Sequence, residues 1–346
     1  MKIKNRRVLA AALAMVLMAA GTAMIFSGCG ANGGESSAKA SMGFTEKTVL
    51  AMDAAVNARV WGCSPEKVTE EIVRLDGMLD CHKAESEISQ LNSKGSLRLS
   101  DETAELISQS LELTGRFGQA DISIGAVTAL WNVTGESPKV PVDSDIEKAK
   151  DTCGYEKIKL SGNECTLEKG AQIDLGCAAK GYALDRAKSV LEKEKAECAM
   201  VTMGSSTLLY GKKPDGSDFK IAVTDPWEKN RQIMRFTCGE GFVSTSGGYE
   251  RFFEAQGQRY IHIFDKLTGR PSQSDLVSVT VICKNGLMSD QLSTAIFVAG
   301  TKGLSEFLNS DEFAVIAIDS DRNIYASDSI KDKITLENDS CSFKQL

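Results

Sequence analysis

Apolar residues recur at helical spacing in several stretches of the chain. Between Pro65 and Leu79 they stand three or four residues apart, and Ser64 is placed to cap the first turn. Ser144 and Glu147 form a capping-box pattern, which predicts that another helix begins there. The same spacing predicts further helices at Asp101–Phe117, at Ala178–Glu194 and from about Asp290 to Ala299.

Strand patterns lie between these helices. Thr48–Trp61 alternates and is rich in small and branched residues, so it is interpreted as a strand. Short β-like runs alternate with turn signals from Ala199 to Val243, and Leu276–Cys283 is a further strand. Because helices and strands mix without a regular βαβ order, we predict an α+β fold with mixed, largely antiparallel sheets and packed helices.

The first 28 residues have the pattern of a targeting segment. Four basic residues precede an apolar to weakly polar run from Val8 to Phe26, which is followed by Ser27-Gly28-Cys29. Small residues before a cysteine resemble the lipobox of bacterial lipoproteins, which predicts a signal peptide at 1–28 and lipidation of Cys29. The alternative is an uncleaved transmembrane anchor, because 19 apolar residues can span a bilayer. Either interpretation places the rest of the chain outside the cytoplasm.

The remaining chain divides into a short tether and one large domain. Residues 29–44 are mostly small and polar, which indicates a flexible tether, and 45–346 is long enough for a sizeable core. Removing the four N-terminal positive charges from the formal net charge of −7 leaves −11 on this part of the chain. This negative charge argues against nucleic acid as a partner of the domain. Apart from Cys29, nine cysteines are scattered without a CxxC pair, and most are interpreted as small buried hydrophobic residues.

Two clusters of polar residues stand where a strand or loop leads into a helix. In the first, Asp174 and Gly176 precede a predicted helix with Lys180 in its first turn, an arrangement that can bind an anion. In the second, Asp290 and Thr294 are four residues apart on one helix face and offer the hard oxygen ligands that Mg²⁺ prefers. The structural alternatives are that Asp174 and Asp290 only cap backbone N–H groups and that Thr294 bonds back to its own helix.

Two further clusters contain a histidine and an aspartate beside turns. His262, one of two histidines in the chain, ends a predicted strand next to a turn rich in Asp, Thr and Gly. It is placed like a general base, although a lone histidine is more often structural. Asp121 lies in Gly118–Gly125, where it binds a ligand or merely caps a helix-to-strand turn.

Together and in this order, these clusters resemble the FAD:protein FMN transferase family of the ApbE type. The likeness extends from Thr48 to Asp319, and its most specific parts are Ala179-Lys180-Gly181 and the Asp-x-Leu-Ser-Thr pattern that starts at Asp290. The matching segments are Met52-Asp53, Ser86–Asn92, Ala120–Trp131, Asp174–Asp185, Lys213–Gly216, Val243–Phe253, His262–Gly269 and Ser289–Gly300.

The resemblance implies roles for individual residues. Asp290 and Thr294 would be side-chain ligands of Mg²⁺, joined by the backbone carbonyl of Cys177, where the family usually has Gly or Ala. His262 would be the general base, and Lys180 would add a positive contact to the pyrophosphate. The implied contacts to FAD are Met52, His82, Gln119, Ala120, Asp121, Asp174, Lys180 and Ile263. Among the departures from the family pattern, Lys266 stands in place of a usual proline.

The resemblance also implies a reaction and its partners. FAD would be the substrate and Mg²⁺ the cofactor, bound between two lobes of one domain. FMN would pass to a threonine hydroxyl of a target flavoprotein, either a flavin-carrying subunit of a membrane redox complex or an extracytoplasmic flavoprotein, with release of AMP. Two alternatives use the same parts: a pyrophosphatase that hydrolyses FAD to FMN and AMP, and a flavin-binding lipoprotein without activity. The combination of Asp290, Thr294 and His262 argues against the second alternative.

Overall fold

The computed structural model describes residues 43–337 and 339–345. The predicted signal peptide, the predicted lipidation site at Cys29 and nearly all of the predicted tether lie outside the described residues. Among the residues that are described, no helix combines the length and the apolar character needed to cross a bilayer.

Eight α-helices occur in the described part of the chain. Helix α3 has the predicted bounds, and α1 and α6 agree with their predictions to within one residue at each end. The helices are α1 (Glu66–Leu79), α2 (Glu87–Lys94), α3 (Asp101–Phe117), α4 (Gly125–Trp131), α5 (Asp143–Lys150), α6 (Ala179–Lys193), α7 (Gly286–Leu308) and α8 (Asp328–Lys331).

The capping-box prediction for α5 is wrong by a few residues. The helix begins at Asp143, its N-cap is Val142 without a side-chain hydrogen bond, and Ser144 lies inside the first turn. Asp143 and Asp145 supply two negative charges to that turn, where the helix dipole favours them. Acidic residues, and no capping hydroxyl, therefore mark this helix start.

The strands confirm the α+β prediction with largely antiparallel pairing. They are β1 (Thr45–Ala51), β2 (Ala54–Trp61), β3 (Ser96–Arg98), β4 (Ile158–Ser161), β5 (Glu164–Leu167), β6 (Cys198–Met203), β7 (Ser206–Gly211), β8 (Phe219–Thr224), β9 (Gln232–Cys238), β10 (Gly241–Gly247), β11 (Phe252–Ala255), β12 (Gln258–Ile261), β13 (Phe264–Asp265), β14 (Arg270–Pro271), β15 (Leu276–Cys283), β16 (Phe313–Asp319), β17 (Asn323–Ala326), β18 (Ile334–Leu336) and β19 (Ser342–Phe343).

One large sheet forms the frame of the domain. Its nine strands run in the order β1-β2-β6-β7-β10-β15-β16-β17-β19, and all neighbours are antiparallel except β17 and β19. Two three-stranded sheets (β18-β9-β8 and β3-β5-β4) and two short hairpins (β11-β12 and β13-β14) complete the described strands. Strand β15 has its predicted bounds of Leu276–Cys283.

Helices cover one face of the large sheet and a small sheet covers the other. Helix α7 packs on β10 and β15, and α6 packs on α7 and β7. On the opposite face, buried residues of β8 and β9, such as Phe219 and Phe236, share a core with Leu209, Val243 and Ile316 of the large sheet. The central strands of the sheet are thus covered on both sides, as a layered α+β domain requires.

The stretch predicted as one strand at Thr48–Trp61 belongs to a hairpin, so that prediction is corrected. Ala51 pairs with Ala54, and the two residues between them, Met52 and Asp53, have φ values of 50° and 53°. Positive φ at both central positions defines the tight hairpin turn that usually contains Asn-Gly. The sequence lacks those residues here, which is why its pattern gave no turn signal.

Helix α7 is longer than predicted at its start. It begins at Gly286, and the Asn285 side chain accepts a hydrogen bond from the backbone N–H of Met288 (2.7 Å). The interpretation of Asp290 as the cap of this helix is therefore wrong. The helix is interrupted at Gly300, where φ is 69°, one residue beyond the predicted end.

Candidate functional site

One cleft collects the residues that the resemblance assigns to the site. Its walls are the β1–β2 turn, the end of α1, the loop after α3, the start of α6, the Thr245–Gly247 part of β10, the segment between β12 and β13, and α7. All of the residues predicted to contact FAD, to hold Mg²⁺ or to act as base line it: Met52, His82, Gln119, Ala120, Asp121, Asp174, Cys177, Lys180, His262, Ile263, Asp290 and Thr294.

Asp290 is the buried carboxylate at the centre of this cleft. Its residue is 6% exposed. One oxygen accepts a hydrogen bond from the backbone N–H of Gly181 and the other from the hydroxyl of Ser206, each at 3.0 Å. The ammonium of Lys180 lies 3.8 Å from the same carboxylate. Two neutral donors and one nearby cation fix the orientation of the carboxylate.

Hydroxyl pairs hold the face of α7 that carries Ser289, Ser293 and Thr294 against β10. Ser244 bonds Ser289 at 2.8 Å, and Ser246 lies 2.8 Å from the Ser293 hydroxyl and 3.1 Å from the Thr294 hydroxyl. Alternate residues of a strand point to one face, and residues four apart on a helix do the same, so the two spacings match. The position of Thr294 is therefore set by β10 as well as by its own helix.

Two glycines allow α6 and α7 to approach closely. A Cβ atom on Gly181 would lie 2.2 Å from the Gly286 carbonyl oxygen, and a Cβ atom on Gly286 would lie 2.3 Å from the Gly181 carbonyl oxygen. This approach brings the Gly181 N–H to Asp290. Asp185 of α6 adds to the contact by accepting hydrogen bonds from the N–H groups of Gly286 and Leu287.

We expect Gly181→Ala to lower both stability and activity. The added methyl group must push α6 and α7 apart, which typically costs about 1–3 kcal/mol, and a displacement of about 1 Å at a reacting site can reduce the rate about 10²-fold. Thermal unfolding and transfer rates would measure the two effects. Gly77→Ala is the matched control, because nothing lies within 4 Å of the added atom and the residue is in a helix. Equal behaviour of the two variants would contradict the role of the close approach.

The donor set fits a magnesium ion. Asp290, Thr294 and the backbone carbonyl of Cys177 offer three oxygen atoms, and Mg²⁺ binds oxygen ligands while keeping several waters. Burial, and then the carboxylates of Asp174 and Asp290, raise the pKa of the Cys177 thiol. Sulfur is in any case a poor ligand for a hard cation such as Mg²⁺. The chemistry of these residues thus supports a hard cation held by oxygen.

A buried amide oxygen in the cleft has no partner among the described residues. It is Oε1 of Gln119. A buried acceptor without a hydrogen bond costs free energy, so a ligand N–H at this position would remove the cost. The next residue, Ala120, is held in place by Gln291. The Gln291 side-chain amide donates to the Ala120 carbonyl (3.1 Å) and to Thr114 Oγ1 (3.0 Å). Gln291 therefore connects α7 to the Gln119–Asp121 segment.

Asp121 forms a buried ion pair that its sequence context did not predict. Its side chain is fully buried, and Lys266 Nζ lies 2.9 Å from Oδ2. The same carboxylate accepts hydrogen bonds from the N–H groups of Ser123 (2.9 Å) and Tyr155 (3.1 Å). Lys266 thus holds Asp121 in place, and the capping interpretation of Asp121 is also correct.

Asp174 has both a structural contact and a place in the cleft. Its Oδ1 accepts the N–H of Gly176 (2.7 Å), as the capping alternative expects. Its Oδ2 accepts the hydroxyl of Thr128 (2.6 Å), which ties the start of α6 to α4. The residue lines the cleft beside Lys180.

His262 has a defined tautomer. Its Nδ1 lies 3.0 Å from the backbone carbonyl oxygen of Arg251. A carbonyl only accepts, so Nδ1 carries the proton and Nε2 carries the lone pair. Burial, together with the positive charge of Arg251, lowers the pKa of His262 to about 4. The imidazole is therefore neutral at physiological pH and able to accept a proton.

The tight β1–β2 turn is braced at the edge of the cleft. The backbone N–H of Met52 donates to Asp76 Oδ1 (2.9 Å), and the Arg251 guanidinium donates to the carbonyl of Asp53 (2.7 Å). Positive φ at residues other than glycine is strained and persists where surrounding contacts enforce it. Arg251 thus links the turn to His262, because its side chain donates to Asp53 and its own backbone carbonyl accepts from the imidazole.

Comparison with known proteins identifies the family. The sequence model of the ApbE family matches residues 45–317. The chain belongs to the ApbE family. Curated members named FAD:protein FMN transferase include one from Vibrio cholerae, 29% identical over 279 residues (77% of this chain and 82% of the relative), and one from Escherichia coli K12, 28% identical over 265 residues (73% and 76%).

Solved structures of ApbE proteins share the fold. The ApbE protein of Thermotoga maritima superposes with a TM-score of 0.78 at 30% identity, covering 83% of this chain and 97% of that one. The flavin transferase ApbE of Vibrio cholerae gives a TM-score of 0.75 at 25% identity, covering 84% and 99%. The ApbE assignment and the α+β fold predicted from the sequence are confirmed, and the chain is an enzyme of a flavin transferase family.

Proposed function

We propose that this ApbE-family enzyme transfers FMN from FAD to a threonine hydroxyl of a target flavoprotein, with Mg²⁺ as cofactor and AMP as the leaving group. The observation that supports this most directly is the convergence of Asp290, Thr294, Lys180 and His262 on one cleft. A carboxylate and a hydroxyl for a cation, an ammonium for a phosphate and a neutral imidazole for a proton are the parts that phosphoryl transfer needs.

The residues divide the work of the reaction among them. Asp290, Thr294 and the Cys177 carbonyl would hold the ion. Mg²⁺, when bound, would neutralise charge on the pyrophosphate oxygens and on departing AMP. Lys180 adds a positive contact in the first turn of α6, where the helix dipole also favours an anion.

In the proposed reaction, His262 accepts the proton that the threonine hydroxyl loses. The acceptor threonine oxygen forms a bond to the FMN phosphorus as the bond from that phosphorus to the AMP oxygen breaks. The threonine proton passes to Nε2 of His262, which the contact with the Arg251 carbonyl leaves unprotonated. The products are an FMN joined to threonine through its phosphate, and AMP.

Acceptor mass measures this proposal directly. The full-length protein is incubated with FAD, Mg²⁺ and an acceptor that carries the family's target-threonine motif, and the acceptor is weighed against time. The expected result is an acceptor heavier by one FMN less one water, with an equal amount of AMP. AMP and free FMN with an unchanged acceptor would identify a pyrophosphatase. No turnover with bound FAD would favour a flavin-binding protein.

Cys177→Ala is expected to retain most of the activity. The proposed ligand at this position is the backbone carbonyl, which an alanine also provides. Transfer rate as a function of Mg²⁺ concentration checks this, with Cys63→Ser as a control at a half-buried thiol outside the cleft. A large rise in the Mg²⁺ requirement of Cys177→Ala alone would make the thiol itself a ligand.

For localisation, we propose that Cys29 is lipidated and anchors the enzyme outside the cytoplasm. The support is the small-residue pattern Ser27-Gly28-Cys29 after an apolar run. Cys29→Ser should release the protein from membranes or leave a longer, unprocessed form, as seen by fractionation and intact mass. An unchanged membrane-bound mass would indicate a transmembrane anchor instead.

A further inference from the structure

A second group of metal-binding side chains lies at the rim of the cleft, on other elements than Asp290. Asp80, Cys81 and His82 follow directly after α1, and one ligand atom from each lies within 4.8 Å of the others. All three residues line the cleft. None of them belongs to the oxygen donor set that supports Mg²⁺.

The chemistry of this group differs from that of the Mg²⁺ site. A thiolate, an imidazole and a carboxylate are the usual ligands of Zn²⁺ and similar ions, at about 2.0–2.3 Å from the metal. Tetrahedral ligands at those lengths are about 3.5 Å apart, so small side-chain rotations of Asp80, Cys81 and His82 close the observed spacing. Three protein ligands leave a fourth position for water.

The surroundings of the group favour a cation. Asp80 is the C-cap of α1, where the helix dipole is negative, and the last turn of that helix contains no basic residue. The carboxylates of Asp53 and Asp76 line the cleft beside it. Asp174 and Asp80 place further negative charge around Cys81. A thiol that coordinates a divalent ion loses its proton when the ion binds.

Lys83 already places a positive charge at this position. Its ammonium contacts Asp76 and lies 3.6 Å from Asp80 Oδ2. The other oxygen of Asp80 accepts the backbone N–H of His82 (2.8 Å), which fixes the turn. A divalent ion would therefore replace Lys83 at Asp80 Oδ2, and Lys83, whose side chain is 45% exposed, is free to turn to solvent.

We propose that Asp80, Cys81 and His82 form a binding site for a thiophilic divalent cation such as Zn²⁺, and that its occupation excludes FAD from the cleft. The second part rests on the proposed function, because it takes the cleft as the FAD site and His82 as a flavin contact. The chain would thus be inhibited by zinc-class ions through residues that are separate from its Mg²⁺ ligands.

Cobalt absorption tests the site itself. Co²⁺ is added to the full-length protein in excess Mg²⁺, and the thiolate-to-cobalt charge-transfer band is recorded. We expect the band in the wild type, in Cys63→Ser and in Cys177→Ala, and its loss in Cys81→Ser. His82→Ala, an exposed position that does not disturb folding, should weaken Co²⁺ binding by at least about 10–100-fold. Absence of the band, or its survival in Cys81→Ser, would overturn the proposal.

Lys83→Met provides a test in the opposite direction. Removing the competing ammonium should tighten Co²⁺ binding, whereas Lys67→Met, on the far end of α1 and paired with Glu194, should leave it unchanged. Weaker or unchanged binding in Lys83→Met would contradict the placement of the ion at Asp80.

Competition with FAD tests the second part. FAD affinity is measured by flavin fluorescence with Mg²⁺ present and with increasing Zn²⁺, for the wild type and Cys81→Ser. We expect Zn²⁺ to raise the apparent Kd of FAD in the wild type only. If Co²⁺ binds as predicted and FAD affinity stays constant, exclusion is wrong. A wild type that fails to bind FAD without Zn²⁺ contradicts the proposed function and leaves the cobalt result intact.

Discussion

Replacing Asp290 by alanine is expected to abolish Mg²⁺-dependent transfer while the protein still folds. Asp290 is the one carboxylate among the proposed Mg²⁺ ligands, and it is 6% exposed. Without it, the Thr294 hydroxyl and a carbonyl offer only neutral oxygens, which hold Mg²⁺ weakly. The variant should lose thermal stability as well, because the Gly181 N–H and the Ser206 hydroxyl each lose an acceptor, at about 1–3 kcal/mol for a buried group.

Asp290→Asn separates the charge from the hydrogen bonds. The amide keeps one acceptor oxygen and nearly the same shape, so this variant should unfold at a temperature closer to that of the wild type. It lacks the negative charge, so its transfer rate should stay near that of Asp290→Ala. Acceptor mass, Mg²⁺ titration and thermal unfolding together give the answer. Full activity of either variant, or of the wild type in excess chelator, would contradict the assignment of Asp290 as a Mg²⁺ ligand.

Five of the eight described helices could be predicted from the sequence, because their determinants are local, whereas α2, α4 and α8 were not predicted. Asp101–Phe117 has apolar residues at helical spacing and begins after Ser100, whose hydroxyl accepts the N–H of Thr103. The β1–β2 turn could not be predicted, because Met52 and Asp53 adopt positive φ only through contacts with Asp76 and Arg251. Those partners are 24 and 198 residues away in the chain. The strand order of the nine-stranded sheet also depends on distant pairing, such as that of β2 with β6 and of β7 with β10.

In the site, too, some features could be predicted from the sequence and others could not. Titratable residues in recognisable motifs, such as His262 and Asp290, were predicted, and the structure places them on one cleft. The roles of Gly181 and Ser206 in positioning Asp290 were not predicted, because glycine and serine have many possible roles in a sequence. The matched spacing of the serines on β10 and α7 is a sequence pattern that indicates contact between these two elements. Lys266 is visible in the sequence as a departure from the family pattern, but only the structure shows its ion pair with Asp121.

The imidazole of His262 leads to the other large expected effect. His262→Asn should reduce transfer by about 10²–10⁴-fold, the usual contribution of a positioned general base. FAD and Mg²⁺ binding should persist, because neither needs a basic side chain at that position. FAD affinity by fluorescence quenching and acceptor mass against time, measured on the same preparation, separate binding from chemistry.

The pH dependence of transfer follows from the burial of His262. An unperturbed histidine titrates at about 6.5, so a solvent-exposed histidine base would give a rise in activity near that pH. Burial and the charge of Arg251 lower the pKa to about 4. The neutral form, which is the base, is therefore already complete well below pH 6. We expect kcat/KM, which reports groups of the free enzyme, to show no His262 inflection between about pH 5 and 8 and to fall as the pH approaches 4.

Two control variants separate the base from its neighbours. Asp265, the nearest acid in the same motif, does not line the cleft and accepts the N–H of Leu267 at 2.8 Å, so Asp265→Asn should keep a rate near that of the wild type. His82→Asn should change FAD affinity more than the rate with bound FAD, because its proposed role is a flavin contact. If His262→Asn transfers normally and Asp265→Asn does not, Asp265 is the general base. If His262→Asn no longer binds FAD, His262 is a contact for FAD. Another group must then accept the threonine proton.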